Sequence, residues 1–300
     1  MKNQITHSKS LIHAVTAVFA AWKKIHHYFQ SEELDVVQKS DGPATVADRL
    51  ADQSIIETLT KLDPEAGFLT EESENNKERL RKKRVWIIDP IDGTTEFMKG
   101  SPEFAMHVAS VVRDGDNSGS KWELEAGIVF IPVTGELFFA QKGYGAYLKN
   151  FNPEDIISRD FEAQDIADYL SNATKQMVTD AAKIDESTVV VSKSNSTQRL
   201  NKAINSVPFG KVMRKGSLGV KVMEVVRGEA DLYLHTETNL CKEWDLCAPQ
   251  IILEEAGGFV TQLNQDRPVY NKPKVESMQG VVASNQSCHE NVIKALDGVI

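Results

Sequence analysis

The chain has 300 residues, of which 41% are hydrophobic and 26% charged, enough for a sizeable core and for two packed subdomains. Forty-three acidic residues against 34 basic ones give a net charge of −9. That balance excludes a general nucleic-acid or membrane-surface binder, which needs a basic face, and an anionic substrate would require something local, such as a metal ion, to overcome the field.

The first predicted element is a helix over residues 8–30. Lys2 and Lys9 precede LIHAVTAVFAAW, which faintly resembles a signal peptide. However, Leu11, Val15, Val18, Trp22, Ile25 and Phe29 recur every three to four residues and run past Lys23, Lys24, His26 and His27, as in an amphipathic helix of the mature domain. After Pro43, Leu50, Ile55, Leu59 and Leu62 mark a second helix that stops at Asp63-Pro64. Residues 67–70 read as a short strand ending at Glu71-Glu72, and the charge run ENNKERLRKKR as a solvated loop. VWIID, FAMHVASVV, ELEAGIVFI and ELFFA read as strands, and the polar stretch 150–186 as a junction.

The second half alternates. STVVVSKS is a strand followed by a helix near 196–206, and KVMRKGS leads into the helix LGVKVMEVVRG. ADLYL is a strand, WDLCAPQIILEEAGG a helix closed by glycines, GFVTQL and GVVAS strands, and the end a helix. Strands and helices in blocks predict an α/β-type layered sandwich. Cys241, Cys247 and Cys288 have no CxxC spacing and read as buried thiols of a cytoplasmic protein. No run reaches the ~18 apolar residues of a membrane span.

The chemistry concentrates in VWIIDPIDGTTEFM. Asp89 and Asp92 flank a turn that Pro90 stiffens and Gly93 relaxes, so both carboxylates and the Ile91 carbonyl can aim at one point. These are hard oxygen ligands suited to Mg²⁺. Thr94 and Thr95 then open a helix whose N–H groups favour an anion such as phosphate. A cation site beside an anion seat is what metal-assisted phosphoryl transfer to water needs. Read alone, the same residues also suit an ordinary acidic turn. Glu71 at a strand end, Asp48 early in the second helix and Asp245 opening a later one add three further acids at element ends.

WIIDPIDGTTEF, FLTEES, and WD followed by EEAGG resemble the signature blocks of the inositol-monophosphatase superfamily, over about residues 35–285. The resemblance implies a layered αβαβα sandwich like that of the fructose-1,6-bisphosphatases. It also implies lithium-sensitive hydrolysis of phosphate monoesters by metal-activated water with two or three Mg²⁺, and the homodimer common in the superfamily is the expected assembly. By matching position, Glu71, Asp89, the Ile91 carbonyl and Asp92 would hold the first metal, and Asp245 would join Asp92 on the second. Thr94, paired with Glu71 or Asp48, would orient and deprotonate the water, and Asp48 would help hold a third metal. Residues 1–150 would then form an N-terminal α+β subdomain with the main metal site, and 151–300 a C-terminal α/β subdomain contributing Asp245 and the specificity residues.

KSDGPATVAD, ADRLADQSI, DGTTEFMKG, VVVSKSNS and KEWDLCAP resemble the 3′(2′),5′-bisphosphate nucleotidase branch, which acts on adenosine 3′,5′-bisphosphate. The resemblance puts substrate contacts at Asp92, Gly93, Thr94 and Asp245, and GSLGVK (Gly216 to Lys221) resembles that branch's phosphate-binding segment, in which Gly216, Ser217 and the backbone would contact phosphate and Lys221 add charge; a helix N-cap followed by a surface lysine is the alternative. Lys193, Arg214, Lys215 and Lys242 are further candidate anion contacts, each also readable as surface charge. His235, four residues on from Asp231, stands where inositol phosphatases carry a sugar-contacting glutamate; inositol 1-phosphate is the alternative substrate. Asn195 in place of a histidine, and LNQDRP in place of an Asp-x-x-Gly turn, depart from the nucleotidase pattern. An aspartyl-phosphate phosphatase would space its aspartates D-x-D, against D-x-x-D here. A degenerate, purely regulatory member would have lost a ligand, and every matched ligand is present.

Overall fold

The structure, a computed structural model, describes residues 8–31, 35–38, 43–115, 121–194, 196–238 and 240–300. Lys2, Asn195 and residues 39–42 of the KSDG stretch lie outside that set.

The first apolar stripe folds as α1 (Lys9–Ile25), whose start is capped by the Ser8 hydroxyl accepting from the Leu11 N–H. Leu11, Val15, Val18, Trp22 and Ile25 are buried along one face. A paired couple of two-residue strands, β1 (Val37–Gln38) and β2 (Pro43–Ala44), leads to α2 (Val46–Leu62), which starts at a capping box of Thr45 and Asp48. A seven-stranded sheet then forms in chain order: β3 (Gly67–Thr70), β4 (Arg84–Asp92), β5 (Ala105–Arg113), β6 (Trp122–Ile131), β7 (Glu136–Gln141), β8 (Gly145–Asn150) and β9 (Thr174–Gln176). Only β3 and β4 pair in parallel. The short α3 (Thr94–Met98) follows β4, and α4 (Pro153–Ser158) and α5 (Ala163–Leu170) precede β9.

The second sheet runs β11 (Lys211–Lys215), β10 (Thr188–Ser192), β12 (Leu232–His235), β14 (Val281–Asn285), β13 (Gly258–Thr261). Its helices are α6 (Gln198–Ser206), α7 (Leu218–Val226), α8 (Glu243–Glu255) and α9 (His289–Leu296). Side chains alternate across each strand, and the alternation sorts the layers. Trp86 and Ile88 of β4 join the core under α1 and α2, while Val85 and Ile87 face a second core shared with α7 and α8. Val190 and Tyr233 meet that core from the other sheet, and Val189, Val191, Leu232 and Leu234 pack outward with α6 and α9. The layers are therefore αβαβα, with α7 and α8 sandwiched between the sheets.

Two segments differ from the sequence reading. The stretch 150–186, expected as a junction, carries α4, α5 and β9, and β9 extends the first sheet. Ile156, Ile166 and Leu170 anchor these short elements in the α1 core, too few apolar residues to produce a visible period. The charge run 74–84, expected as a solvated loop, contains a 3-10 turn (Lys77–Arg81) whose Arg79 is 2% exposed. Arg79 donates from Nε to Asn75 (3.0 Å), from Nη1 to the Asn271 side chain and from Nη2 to the Lys272 carbonyl (2.7 Å). Glu243, at the start of α8, accepts from the N–H groups of Asn271 and Lys272. One buried arginine thus ties the loop after β3 to the helix that carries Asp245.

Removing the guanidinium would leave the buried Asn271 and Lys272 acceptors unpaired. Arg79→Met is expected to lower unfolding stability by about 2–4 kcal/mol in urea denaturation; a loss below measurement error would show the tie to be idle. A second expectation concerns pH. His289 is held between Thr261 Oγ1 (3.0 Å) and Ser284 Oγ (2.7 Å). Burial, with Arg267 nearby, pushes its pKa down from 6.5 to about 4. The unfolded chain therefore takes up a proton that the folded chain refuses, so stability falls as pH drops from 6.5 toward 4. His289→Gln should lose less stability between pH 7 and pH 5 than wild type, compared by urea midpoints.

Candidate active site

The ends of β3, β4 and β12 and the starts of α3, α7 and α8 surround a cleft of roughly 230 Å³ between the sheets. Glu71, Asp89, Ile91, Asp92, Gly93, Thr94, Gly216, Ser217, Lys221 and Asp245 all line it. Of the residues singled out in the sequence for metal or substrate, the cleft thus collects all but Asp48, Lys193, Arg214 and Lys215.

Asp89 and Asp92 sit on the end of β4 itself, where the pairing with β5 slips between them, so the expected turn is a bulged strand end. Gly93 then takes φ +98° and starts α3; a Cβ there would come within 2.8 Å of the Ser217 Cβ, so the approach of α7 to α3 needs a glycine. Thr94 Oγ1 donates to Asp48 Oδ1 at 2.8 Å. Asp48 Oδ2 accepts from the Thr45 N–H and hydroxyl, both at 2.6 Å. With both oxygens engaged, Asp48 stands behind Thr94 as its partner and does not reach the cleft, unlike the third-metal ligand expected from the sequence. Burial raises its pKa against the bonds from Thr45 and Thr94.

Asp92 is anchored from the second half of the chain. Its Oδ1 accepts from the Leu218 N–H at 3.1 Å and its Oδ2 from the Gly219 N–H. The N–H groups expected to seat phosphate at GSLGVK therefore hold a carboxylate of the site. Ser217 caps α7 through Val220, and the Lys221 ammonium donates to the Gly216 carbonyl and lies 5.6 Å from the Tyr233 ring. Burial pulls Lys221 down to about 8, against the pull of Asp92, Glu96 and Glu103. Burial would raise Asp92, but His107, Lys221 and the Gly219 N–H outweigh it and hold its pKa below the usual value.

Of the further cations named in the sequence, Lys242 lines the cleft, its Nζ donating to Ser277 at 2.8 Å. Lys193, Arg214 and Lys215 do not line it: Lys193 and Lys215 pair with Glu103, and Arg214 donates to the Ser192 carbonyl. His235 lines the cleft beside Thr236 and Glu237, and burial, with Lys221 nearby, lowers its pKa to about 4. The sequence reading passed over His107, whose ring is buried 3.2 Å from Asp92 Oδ2. Its position inside an apolar strand was the only signal.

Four carboxylates thus share one low-dielectric space. Asp89 is raised well above its usual value by burial and by the charges of Glu71, Asp92 and Asp245, and burial and Asp92 push Asp245 up to about 7. Asp89 Oδ1 is buried with no hydrogen-bond partner among the described residues. The side chains of three or more His, Cys, Asp and Glu are nowhere among the described residues already drawn into a ligand shell. The donor set nevertheless fits a hard divalent cation: it is all oxygen, mutually repelling, and carries an orphaned acceptor that a cation would satisfy.

With its acidic cleft between the sheets of an αβαβα sandwich, the chain is similar to proteins named as phosphatases. The chain belongs to the inositol monophosphatase family, whose model it matches over residues 7–300. It is 32% identical over 252 residues to an inositol-1-monophosphatase of Rhizobium meliloti (strain 1021), covering 82% of this chain and 83% of that protein. It is 30% identical over 248 residues to the 3′(2′),5′-bisphosphate nucleotidase CysQ of Aggregatibacter actinomycetemcomitans, covering 81% of each. The solved structure of CysQ from Bacteroides thetaiotaomicron superposes with a TM-score of 0.73 at 26% identity, covering 95% of this chain and 100% of that one. No helix among the described residues is long and apolar enough to cross a membrane.

Crowded carboxylates destabilise the metal-free fold, so neutralising one should help it. Asp89→Asn is expected to raise the melting temperature measured in EDTA and to abolish the further rise that Mg²⁺ gives wild type. A variant that still gains stability from Mg²⁺ as wild type does would remove Asp89 from the cation site.

Proposed function

We propose that the chain is a Mg²⁺-dependent phosphate monoester hydrolase that removes the 3′-phosphate of adenosine 3′,5′-bisphosphate. The observation that carries the hydrolytic reading is the orphaned Asp89 Oδ1 among Glu71, Asp92 and Asp245, with the Thr94–Asp48 pair beside it. Glu71, Asp89, the Ile91 carbonyl, Asp92 and Asp245 would hold two or three Mg²⁺. Bound there, the ions lower the pKa of the attacking water and neutralise charge on the leaving oxygen.

The chain's own residues supply the rest. Thr94 Oγ1 donates to Asp48 and so turns a lone pair toward the cleft, where it accepts a hydrogen bond from the water. The water's proton can pass to Thr94 Oγ1 as the threonine proton passes to Asp48 Oδ1. Burial makes Asp48 a stronger base than a surface carboxylate, which suits it to receive that proton. The first N–H groups of α3, at Thr94 and Thr95, have no acceptor within the helix and would be available to phosphate oxygens in the cleft. Among the described residues Lys221 and Lys242 are the cations lining the cleft, and they would offset its acidity for a substrate with a second phosphate.

The choice of nucleotide over inositol rests on the second half. His235 replaces the glutamate that the inositol enzymes use for the sugar, and its low pKa keeps it neutral. Leu200 and Leu240 add apolar surface on which a base can lie, beside Thr197 and Glu237. A relative named inositol-1-monophosphatase makes inositol 1-phosphate the second reading.

Phosphate release from the two compounds decides between them. The kcat/KM for adenosine 3′,5′-bisphosphate should exceed that for inositol 1-phosphate, with Li⁺ inhibiting and EDTA abolishing turnover. The reverse ranking would move the substrate to inositol phosphate. Asp92→Asn should cost at least 100-fold in kcat, since it strips charge from the carboxylate shared by both metal positions; an activity within threefold of wild type would overturn that placement.

A further inference from the structure

His107 stands in the middle of β5, opposite Asp89 on β4 and Val129 on β6, with its ring fully buried on the face toward α7. Its neighbours on that face of the strand, Ala105, Ala109 and Val111, belong to the apolar core between the sheets. Nδ1 has no hydrogen-bond partner among the described residues, and Nε2 faces Asp92 Oδ2 at 3.2 Å. Burying an imidazole with a nitrogen left unpartnered is a cost that a valine at the same strand position would avoid.

A second cost falls at the same point. A Cβ on residue 219 would sit 2.0 Å from His107 Nε2 and 3.1 Å from Asp92 Oδ2. Gly219 lies within the first turn of α7, where glycine is less favourable than alanine. The helix gives up a side chain at the one place where the imidazole edge and the carboxylate meet. Asp92 is already tied to the Leu218 and Gly219 N–H groups, so the ring closes the last approach to Oδ2 that lies away from the cleft.

We propose that His107 is a positioning residue for Asp92: its Nε2 edge pins Oδ2 against the start of α7, so that the remaining lone pairs of the carboxylate point into the cleft in the orientation Mg²⁺ requires. The proposal rests on the reading of Asp92 as a metal ligand. Residues that orient a ligand from behind typically change metal affinity by about 10–100-fold when lost.

Three variants test it: His107→Val removes the polar edge, His107→Asn places an amide near the Nδ1 position, and His107→Gln places one near Nε2. Mg²⁺ binding is measured by titration calorimetry without substrate, alongside melting temperature in EDTA and the Mg²⁺ concentration for half-maximal phosphate release. H107V should melt no lower than wild type, bind Mg²⁺ at least about tenfold more weakly, and need correspondingly more Mg²⁺ for activity. H107Q should recover most of the loss and H107N little of it. Wild-type Mg²⁺ affinity in H107V, or an equal loss in all three variants, would overturn the proposal, the latter because it marks a role in packing alone. If H107V does not fold, the contrast between H107Q and H107N decides. A wild-type chain that takes up no Mg²⁺ would instead overturn the metal reading, and this proposal with it.

Discussion

The site depends on negative charge being held where water is scarce, and helix N-termini make that tolerable. Asp48 is the third residue of α2 and Asp245 the third of α8, each accepting from its own helix start. Asp92 lies across the start of α7. Each arrangement is worth roughly 0.3–1 kcal/mol, and up to about 2 when partly buried. It also fixes the carboxylate from one side, leaving the other free. Glu71 and Asp89 lie at strand ends instead, and Asp89 is the acid whose ionisation is most strongly resisted. The helix starts thus steady Asp48 behind Thr94 and Asp92 and Asp245 in the cleft, while Asp89 keeps an oxygen with no partner among the described residues.

The layer order follows from the same need. With α7 and α8 between the two sheets, their starts open into the space between β4 and β12, where a carboxylate from either half can meet them. The first half supplies Glu71, Asp89, Asp92 and Thr94. The second supplies Asp245, Lys221 and the wall from Tyr233 to Glu237. The carboxylates of the cleft therefore come from both halves, while the wall from Tyr233 to Glu237 belongs to the second alone.

Much of this was legible in the sequence because it is local. The DPIDGT block, the strand ending at Glu71 and the helix opening at Asp245 each announce an acid at an element end. What stayed hidden depends on partners distant in sequence. Arg79 looks solvated among lysines and glutamates until Asn271 and Lys272 come to meet it. GSLGVK looks like an anion seat until Asp92 takes its N–H groups. His107 reads as one polar residue in an apolar strand, and only Gly219 packing onto it gives it a place. The elements α4, α5 and β9 are too short for periodicity to betray them.

The two sheets also differ in how the chain must be gathered to make them. From β4 to β9 every strand pairs with its predecessor in sequence, so the first sheet can grow as the chain lengthens. The second cannot: β12 and β13 are joined only through β14, which ends at Asn285. During synthesis Glu71, Asp89 and Asp92 can reach their places while Asp245, the α7 start and the cleft's far wall are still unmade. The half-built chain carries its acids with nothing to face them, and the cleft is complete only after α8, which brings Asp245, has been made.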